Sequence, residues 1–167
     1  MKEKLKLVRI NTDYCNYLRK FDDKVPYNFK VKELRPFIGI LFTVNECMYF
    51  APLSSPKPKH LKLKDKIDFL KLDGGKLGAI NFNNMLPVSE KNIIYLNLYE
   101  DNLSLSEKKY NSLLKSQLYW LNRNKERIYG RSKKLYDKYI TDELEYNIKI
   151  RCCNFILLEK KCFEYNK

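Results

Sequence analysis

Residues that could do chemistry concentrate in one stretch, Tyr49-Phe50-Ala51-Pro52-Leu53-Ser54-Ser55-Pro56-Lys57-Pro58-Lys59-His60. Its first half is apolar and reads as the end of a strand. Its second half is a loop stiffened by proline, which fixes φ and drives the preceding residue out of the helical region, so side chains around Ser55 and Lys57 are pre-ordered. The loop presents the adjacent hydroxyls of Ser54 and Ser55, the lysines Lys57 and Lys59, and His60, the sole histidine of the chain. A rigid strand running into a loop of polar groups is a usual way to place reacting groups. The same composition also suits an ordinary surface turn, because Ser-Pro and Pro-Lys runs mark loops. The rest of the chain decides between the two.

Charge is the strongest compositional signal. The 33 Lys and Arg outnumber the 20 Asp and Glu, for a net charge of +13, and the basic residues are interleaved with 13 Tyr and 9 Phe. That is the footprint of a folded surface that meets a polyanion, nucleic acid first. A membrane surface is the weaker alternative, since no amphipathic helix with a basic face and an apolar back is legible. No apolar run is long enough for a spanning helix, and Met1 to Leu7 lacks a signal core, so a cytoplasmic protein is expected. An odd number of cysteines, an adjacent Cys152-Cys153 pair and no Cys-x-x-Cys spacing point to free thiols in a reducing compartment, not to disulfides or a metal cluster. Cys15, Cys47, Cys153 and Cys162 fall in apolar patterns and read as core.

The elements that must position the loop follow from patterning. Lys4 to Ile10 alternates as a strand; Asn11 or Thr12 caps a short helix with Tyr14, Tyr17, Leu18 and Phe21 on one face. Tyr27 to Arg35 is a polar loop. Phe37 to Val44 reads as a buried strand that turns at Asn45-Glu46 and returns as Cys47 to Pro52, a hairpin that puts Arg35 and Ser54-Ser55 at the same end. Ile67 to Leu72 and Leu77 to Asn81 read as a second hairpin about Asp73-Gly74-Gly75, and Met85 to Val88 as an edge piece containing Pro87. Ser104-x-x-Glu107 has capping-box spacing and opens a long helix bearing Tyr110, Leu113, Leu114, Gln117, Leu121 and Ile128 on one side, with Trp120 as core. Ile148 to Ile156 is expected as a last strand and Leu157 to Tyr165 as a closing helix. The layout is α+β, one domain over residues 1–167, with a mostly antiparallel curled sheet surrounded by helices.

The chain lacks a glycine-rich phosphate loop, a zinc spacing and the carboxylate cluster of a two-metal nuclease, so neither a metal nor a cofactor is expected. A basic protein acting on nucleic acid without metal has RNA as its natural substrate, because RNA carries its own nucleophile, the 2′-OH. Arg35 and Lys57 suit the charge of a phosphorane, Arg bidentately and Lys as a point charge. The hydroxyls of Ser54 and Ser55 suit its oxygens or the 2′-OH. His60 has the ordinary pKa for proton transfer near neutrality, although a shifted lysine or tyrosine serves as well. The competing scheme, Ser55 as nucleophile with His60 as base, needs an orienting third group that the sequence does not name. Lys24, Asn28, Lys30, Lys32, Lys59, Arg123, Lys125, Arg127, Arg131, Lys133 and Lys134 are the candidates for phosphate contact.

Phe21-Asp22-Asp23-Lys24-Val25-Pro26, Phe37-Ile38-Gly39-Ile40, the Tyr49 to His60 stretch, Leu77-Gly78-Ala79-Ile80-Asn81 with Met85-Leu86-Pro87-Val88, and Cys153-Asn154-Phe155-Ile156-Leu157-Leu158-Glu159-Lys160 together resemble the ToxN/AbiQ/CptN family. The resemblance runs collinearly through most of the chain. It implies the endoribonuclease toxin of a type III toxin–antitoxin system, whose antitoxin is RNA, with a curved sheet core like that of Kid/MazF-type toxins. It further implies metal-independent cleavage of mRNA or phage RNA to a 2′,3′-cyclic phosphate, processing of the antitoxin repeats, and inhibition by the resulting pseudoknot in a closed toxin–RNA assembly that serves phage defence through abortive infection. Carried over by position, Ser54, Ser55 and Lys57 lie in the active site and His60 matches a family histidine. Arg35 stands where relatives have lysine, and the shorter loop after Pro26 leaves Tyr27 as the nearest counterpart of the family's active-site tyrosine. The readings set against this are a non-catalytic RNA- or DNA-binding module and a basic scaffold that contacts protein.

Overall fold

A computed structural model describes residues 3–27 and 35–166. The chain opens with β1 (Lys6–Ile10) and α1 (Thr12–Arg19), whose N-cap is Asn11, its side chain accepting from the Tyr14 amide. The central hairpin follows as β2 (Phe37–Gly39), β3 (Thr43–Val44) and β4 (Cys47–Ser54). A short helix, α2 (Pro58–Lys62), leads into β5 (Phe69–Lys71) and β6 (Ala79–Asn81), then β7 (Leu86–Val88) and β8 (Ile93–Tyr95). The C-terminal part is helical: α3 (Leu105–Arg123), α4 (Lys125–Ile140), α5 (Tyr146–Lys149) and α6 (Phe155–Tyr165).

All strand pairings among the described residues are antiparallel, in the order β5-β6-β4-β2-β1-β8, with β3 and β7 also on β4. The α+β expectation holds. β4 is the hub, and it is long enough to serve four partners in succession because its residues are buried almost throughout. Its middle is tied to the helices by Glu159 of α6, whose Oε1 accepts from Tyr49 at 2.5 Å and from Tyr136 at 2.7 Å. β7 carries Pro87 opposite Tyr49, an edge position where a missing amide costs no ladder bond. Among the described residues, no helix is long and apolar enough to cross a membrane.

Several elements differ from the sequence expectation for identifiable reasons. The apolar run Phe37 to Val44 is two strands, not one: Ile38 pairs Ala51 but Thr43 pairs Met48, so five steps on one side face three on the other. Two extra residues bulge there and bend the strand. Gly39 sits at the break because a Cβ there would stand 2.5 Å from the Phe50 ring. The long basic helix is divided at Asn124, whose side chain bonds the Trp120 carbonyl. Ile148 to Ile156 is not a strand. Cys152 and Cys153 are buried from a turn, the Cys153 amide bonds the Asn83 carbonyl, and Asn154 caps α6 through the Leu157 amide. All five cysteines are free and buried, and burial holds the Cys15 and Cys152 thiols up at about 12.

Because the Phe50 ring fills the space beside Gly39, Gly39→Ala should lower the unfolding free energy by about 1–3 kcal/mol in urea titrations. Phe50→Leu, destabilising by itself, should cost less in the Gly39→Ala background than in the wild type; strictly additive effects would contradict this packing account.

Candidate active site

The register of the central hairpin builds the site. Phe37 pairs Pro52, and the Leu53 amide bonds the Pro36 carbonyl at 3.0 Å, which continues the pairing to Arg35 opposite Ser54. The cation and the hydroxyls therefore share one end of the β2–β4 pair, as the hairpin predicts. Arg35 is half-buried, and burial lowers its pKa. Ser54 closes β4 and is half-buried, while Ser55, Lys57 and Lys59 are exposed. The Ser54 hydroxyl has a partner that the sequence did not suggest: Asn81 of β6 donates to Oγ at 3.0 Å.

The loop is held from behind by the turn that joins β5 to β6. Gly78 has φ +102°, and a Cβ there would stand 1.9 Å from the Ser54 carbonyl oxygen, so only glycine lets the two backbones approach. Gly75, with φ +98°, packs in the same way against the His60 carbonyl, 2.8 Å from where its Cβ would be. The turn is in turn fastened to α3, where Gln117 donates to the Leu77 carbonyl at 2.8 Å.

The segment expected as loop through His60 becomes helical at Pro58, which occupies the first turn of α2 where its missing amide is no loss. His60 faces inward. It is 2% exposed, its ring lies 6.0 Å from that of Phe69, and Nδ1 accepts from the Lys57 amide at 3.3 Å. Burial first, then the charges of Lys57 and Lys59, lower its pKa. The geometry thus uses the neutral ring to hold the Lys57 backbone, where the sequence offered it as a proton-transfer group.

Tyr27 is half-exposed, with the Arg19 guanidinium 4.9 Å above its ring. Asn28, Lys30 and Lys32 lie outside the described residues. Lys24 is exposed, and its backbone is anchored on both sides, the amide to Asp22 and the carbonyl to Asn84. The cations of the helical part do not form one surface. Arg127, Arg131 and Lys134, spaced i, i+4, i+7, share a face of α4 that lines a cleft with Asp65, Lys66 and Ile67. There Arg127 pairs with Asp65 at 2.9 Å and Arg131 bonds the Lys66 carbonyl. Lys133 points elsewhere, pairing with Asp137 and lining a cleft with Lys4, Lys6 and Phe42 at the far end of the hairpin. Arg123 donates to the Tyr119 hydroxyl at 2.9 Å, beside a half-buried Trp120 that packs on the core and also lines a cleft. Lys125 is half-buried at the start of α4. Among the described residues, no group of three His, Cys, Asp or Glu side chains is arranged to hold a metal ion.

An exposed hydroxyl–lysine loop, at the same end of a hairpin as an arginine and set in a basic α+β chain, offers the donors and positive charge that suit an oxyanion. Comparison with known proteins gives that class a name. The family model described as toxin ToxN of type III toxin–antitoxin systems matches residues 6–162, and the chain belongs to that family. It is 31% identical to Endoribonuclease ToxN of Bacillus thuringiensis subsp. kurstaki, covering 99% of this chain and 87% of the relative. It is 30% identical to Endoribonuclease AbiQ of Lactococcus lactis subsp. lactis, covering 98% and 90%. Among solved structures, a type III toxin described as selectively inhibited by a non-coding RNA pseudoknot superposes with a TM-score of 0.83 at 31% identity, over 99% of both chains. AbiQ, described as a lactococcal anti-phage endoribonuclease, superposes with a TM-score of 0.82 at 28% identity, over 98% of this chain and 99% of its own.

The His60 geometry carries a sign. Its folded-state pKa lies below the ordinary 6.5, so as pH falls through that value the unfolded chain takes a proton that the folded ring refuses. Thermal stability should therefore decline from about pH 7.5 to about pH 5.5, and the decline should be shallower in His60→Asn, whose Oδ1 can accept from the Lys57 amide without titrating. An unchanged acid slope in that variant would remove His60 from the account.

Proposed function

We propose that the protein is a metal-independent endoribonuclease toxin, and that the Ser54-Ser55-x-Lys57 loop opposite Arg35 is its active site. The observation that carries the proposal is the hairpin register, which brings Arg35 opposite Ser54 at the start of the Ser55-Pro56-Lys57 loop, while Gly78 and His60 fix the loop backbone. RNA supplies the nucleophile: its 2′-OH attacks the adjacent phosphorus, the 5′-oxygen leaves, and a 2′,3′-cyclic phosphate remains. Arg35 and Lys57 stabilise the added negative charge, and Ser55, exposed beside Lys57, donates to a non-bridging oxygen. Ser54, already accepting from Asn81, retains its own hydroxyl proton to donate. With Nδ1 of His60 engaged, proton transfer falls to a lysine or a tyrosine, for which Lys57 of the loop and Tyr27 are the candidates.

The same reading extends to the partner. A solved relative is described as inhibited by a non-coding RNA pseudoknot, and the cleft where Arg127, Arg131 and Lys134 of α4 meet Lys66 suits the phosphates of a folded RNA. We take the inhibitor to be a pseudoknotted repeat cut from its own transcript by the toxin and retained in a closed toxin–RNA assembly. The targets released to cleavage are cytoplasmic mRNA or phage RNA, which makes the system a phage defence.

Ser55→Ala and Lys57→Ala should each lower RNA cleavage by roughly 10²–10⁴-fold, abolish growth arrest on induction, and leave the melting temperature unchanged. Wild-type cleavage in either variant would overturn the site assignment. Tight, salt-sensitive RNA binding by a wild-type protein that never cuts would make this a binding module instead.

A further inference from the structure

One buried polar side chain stands outside the chemistry proposed above. Gln117 of α3 is 2% exposed and sits between Leu114 and Leu121, at i−3 and i+4 on the same inward stripe. Its amide nitrogen donates to the Leu77 carbonyl at 2.8 Å, while its Oε1, also buried, has no hydrogen-bond partner among the described residues. The orientation of the amide follows from the partner, since a backbone carbonyl can only accept. An amide satisfied at one end is a net cost to folding, because a neutral hydrogen bond returns less than an orphaned buried oxygen takes away. A methionine of similar volume would fill the stripe without that cost. What the glutamine adds is the bond to Leu77.

That bond holds a turn on which the reactive loop rests. Residues 72–78 close on themselves: the Leu72 amide bonds the Gly78 carbonyl at 2.9 Å, and the Leu77 amide bonds the Leu72 carbonyl at 3.2 Å. A shift at Leu77 is therefore carried to Gly78, which abuts the Ser54 carbonyl with φ +102°, and to Ala79, which pairs with Ser54 in the sheet. On the outer side, a cleft of about 840 Å³ lies between the turn and α3, lined by Asp73, Leu77, Ser116, Tyr119 and Trp120. Side-chain packing does not fill that gap, so the bond from Gln117 to Leu77, itself a lining residue, ties helix to turn there.

We propose that Gln117 is a positioning residue for the reactive loop: through Leu77 and Gly78 it sets where Ser54 and the residues after it stand, and it serves the rate of cleavage rather than folding or RNA affinity. The inference rests on the endoribonuclease reading for the step it serves; the mechanical claim, that α3 holds the loop through this turn, does not. One bond far from the chemistry suffices, because misplacing reacting groups by about 1 Å can cost on the order of 10²-fold in rate.

The test compares the full-length wild type with Gln117→Met on a labelled single-stranded RNA of mixed sequence. The variant should match or exceed the wild-type melting temperature, lose roughly tenfold or more in kcat, and keep KM within about threefold. Hydrogen–deuterium exchange of the free protein should quicken in the amides of residues 72–79 and 54–60, while α3, β1 and β2 keep wild-type protection. A residue that merely fills the core would instead lower the melting temperature and loosen exchange throughout, and that result would overturn the proposal. So would a kcat within about twofold of wild type, or unchanged exchange in the turn and the loop. The two readings fail separately. If the wild type leaves RNA uncut, the nuclease is removed and exchange decides: quickening confined to the two segments retains the positioning role, and no quickening removes it. Equal cleavage by both proteins would retain the nuclease and remove Gln117.

Discussion

The close approach of two backbones, Gly78 against the Ser54 carbonyl, is the contact on which the site depends. β4 ends in Ser54, at the same end of the β2–β4 pair as Arg35, and beyond it the chain must leave the sheet in a fixed direction. Prolines narrow the choices of φ, but a stiff loop without a backing would still swing as a unit. The β5–β6 turn supplies the backing by resting on the loop at Gly78 and on α2 at Gly75, two positions with positive φ and no room for a side chain. His60 completes the arrangement from inside by accepting the Lys57 amide. The loop at one strand end is thus fixed by a turn from a different hairpin.

That division of labour explains why two chemically prominent residues have different roles. Lys57 and His60 are three residues apart, yet one is exposed and the other 2% exposed, because the helical turn begun by Pro58 rotates His60 towards Phe69 and Gly75. A buried imidazole between two lysines is held neutral, which suits a hydrogen-bond acceptor and not a proton donor. The lysines that flank it, Lys57 and Lys59, remain exposed.

Much of this was legible in the amino-acid sequence where the physics is local. Antiparallel pairing about Asn45-Glu46 sufficed to place Arg35 with Ser54, the spacing of Ser104 and Glu107 gave a helix start that is present, and collinear motifs pointed to the ToxN family. What escaped was decided by contacts distant in sequence. The pairing of β4 with β6 brings Asn81 to Ser54 across 27 residues, and no spacing rule announces it. β8 leaves little mark in the sequence, because Ile93 to Tyr95 is only partly buried on an outer strand. Ile148 to Ile156 looked like a strand because Cys152, Cys153 and Phe155 are buried, but they reach the core from a turn and a capped helix. The basic residues from Arg123 to Lys134 are adjacent in sequence, but helical rotation and the break at Asn124 distribute them over separate clefts.

The central claim is that this loop activates an attack by the RNA's own 2′-OH. The most direct measurement uses purified protein in excess chelator with an end-labelled RNA in which the nucleotide 5′ of the cut is either ribo or 2′-deoxy. The account predicts cleavage of the all-ribo strand to a 2′,3′-cyclic phosphate and an intact strand when that single hydroxyl is missing. Cleavage of the 2′-deoxy strand, or a product ending in a linear phosphate from the outset, would contradict it.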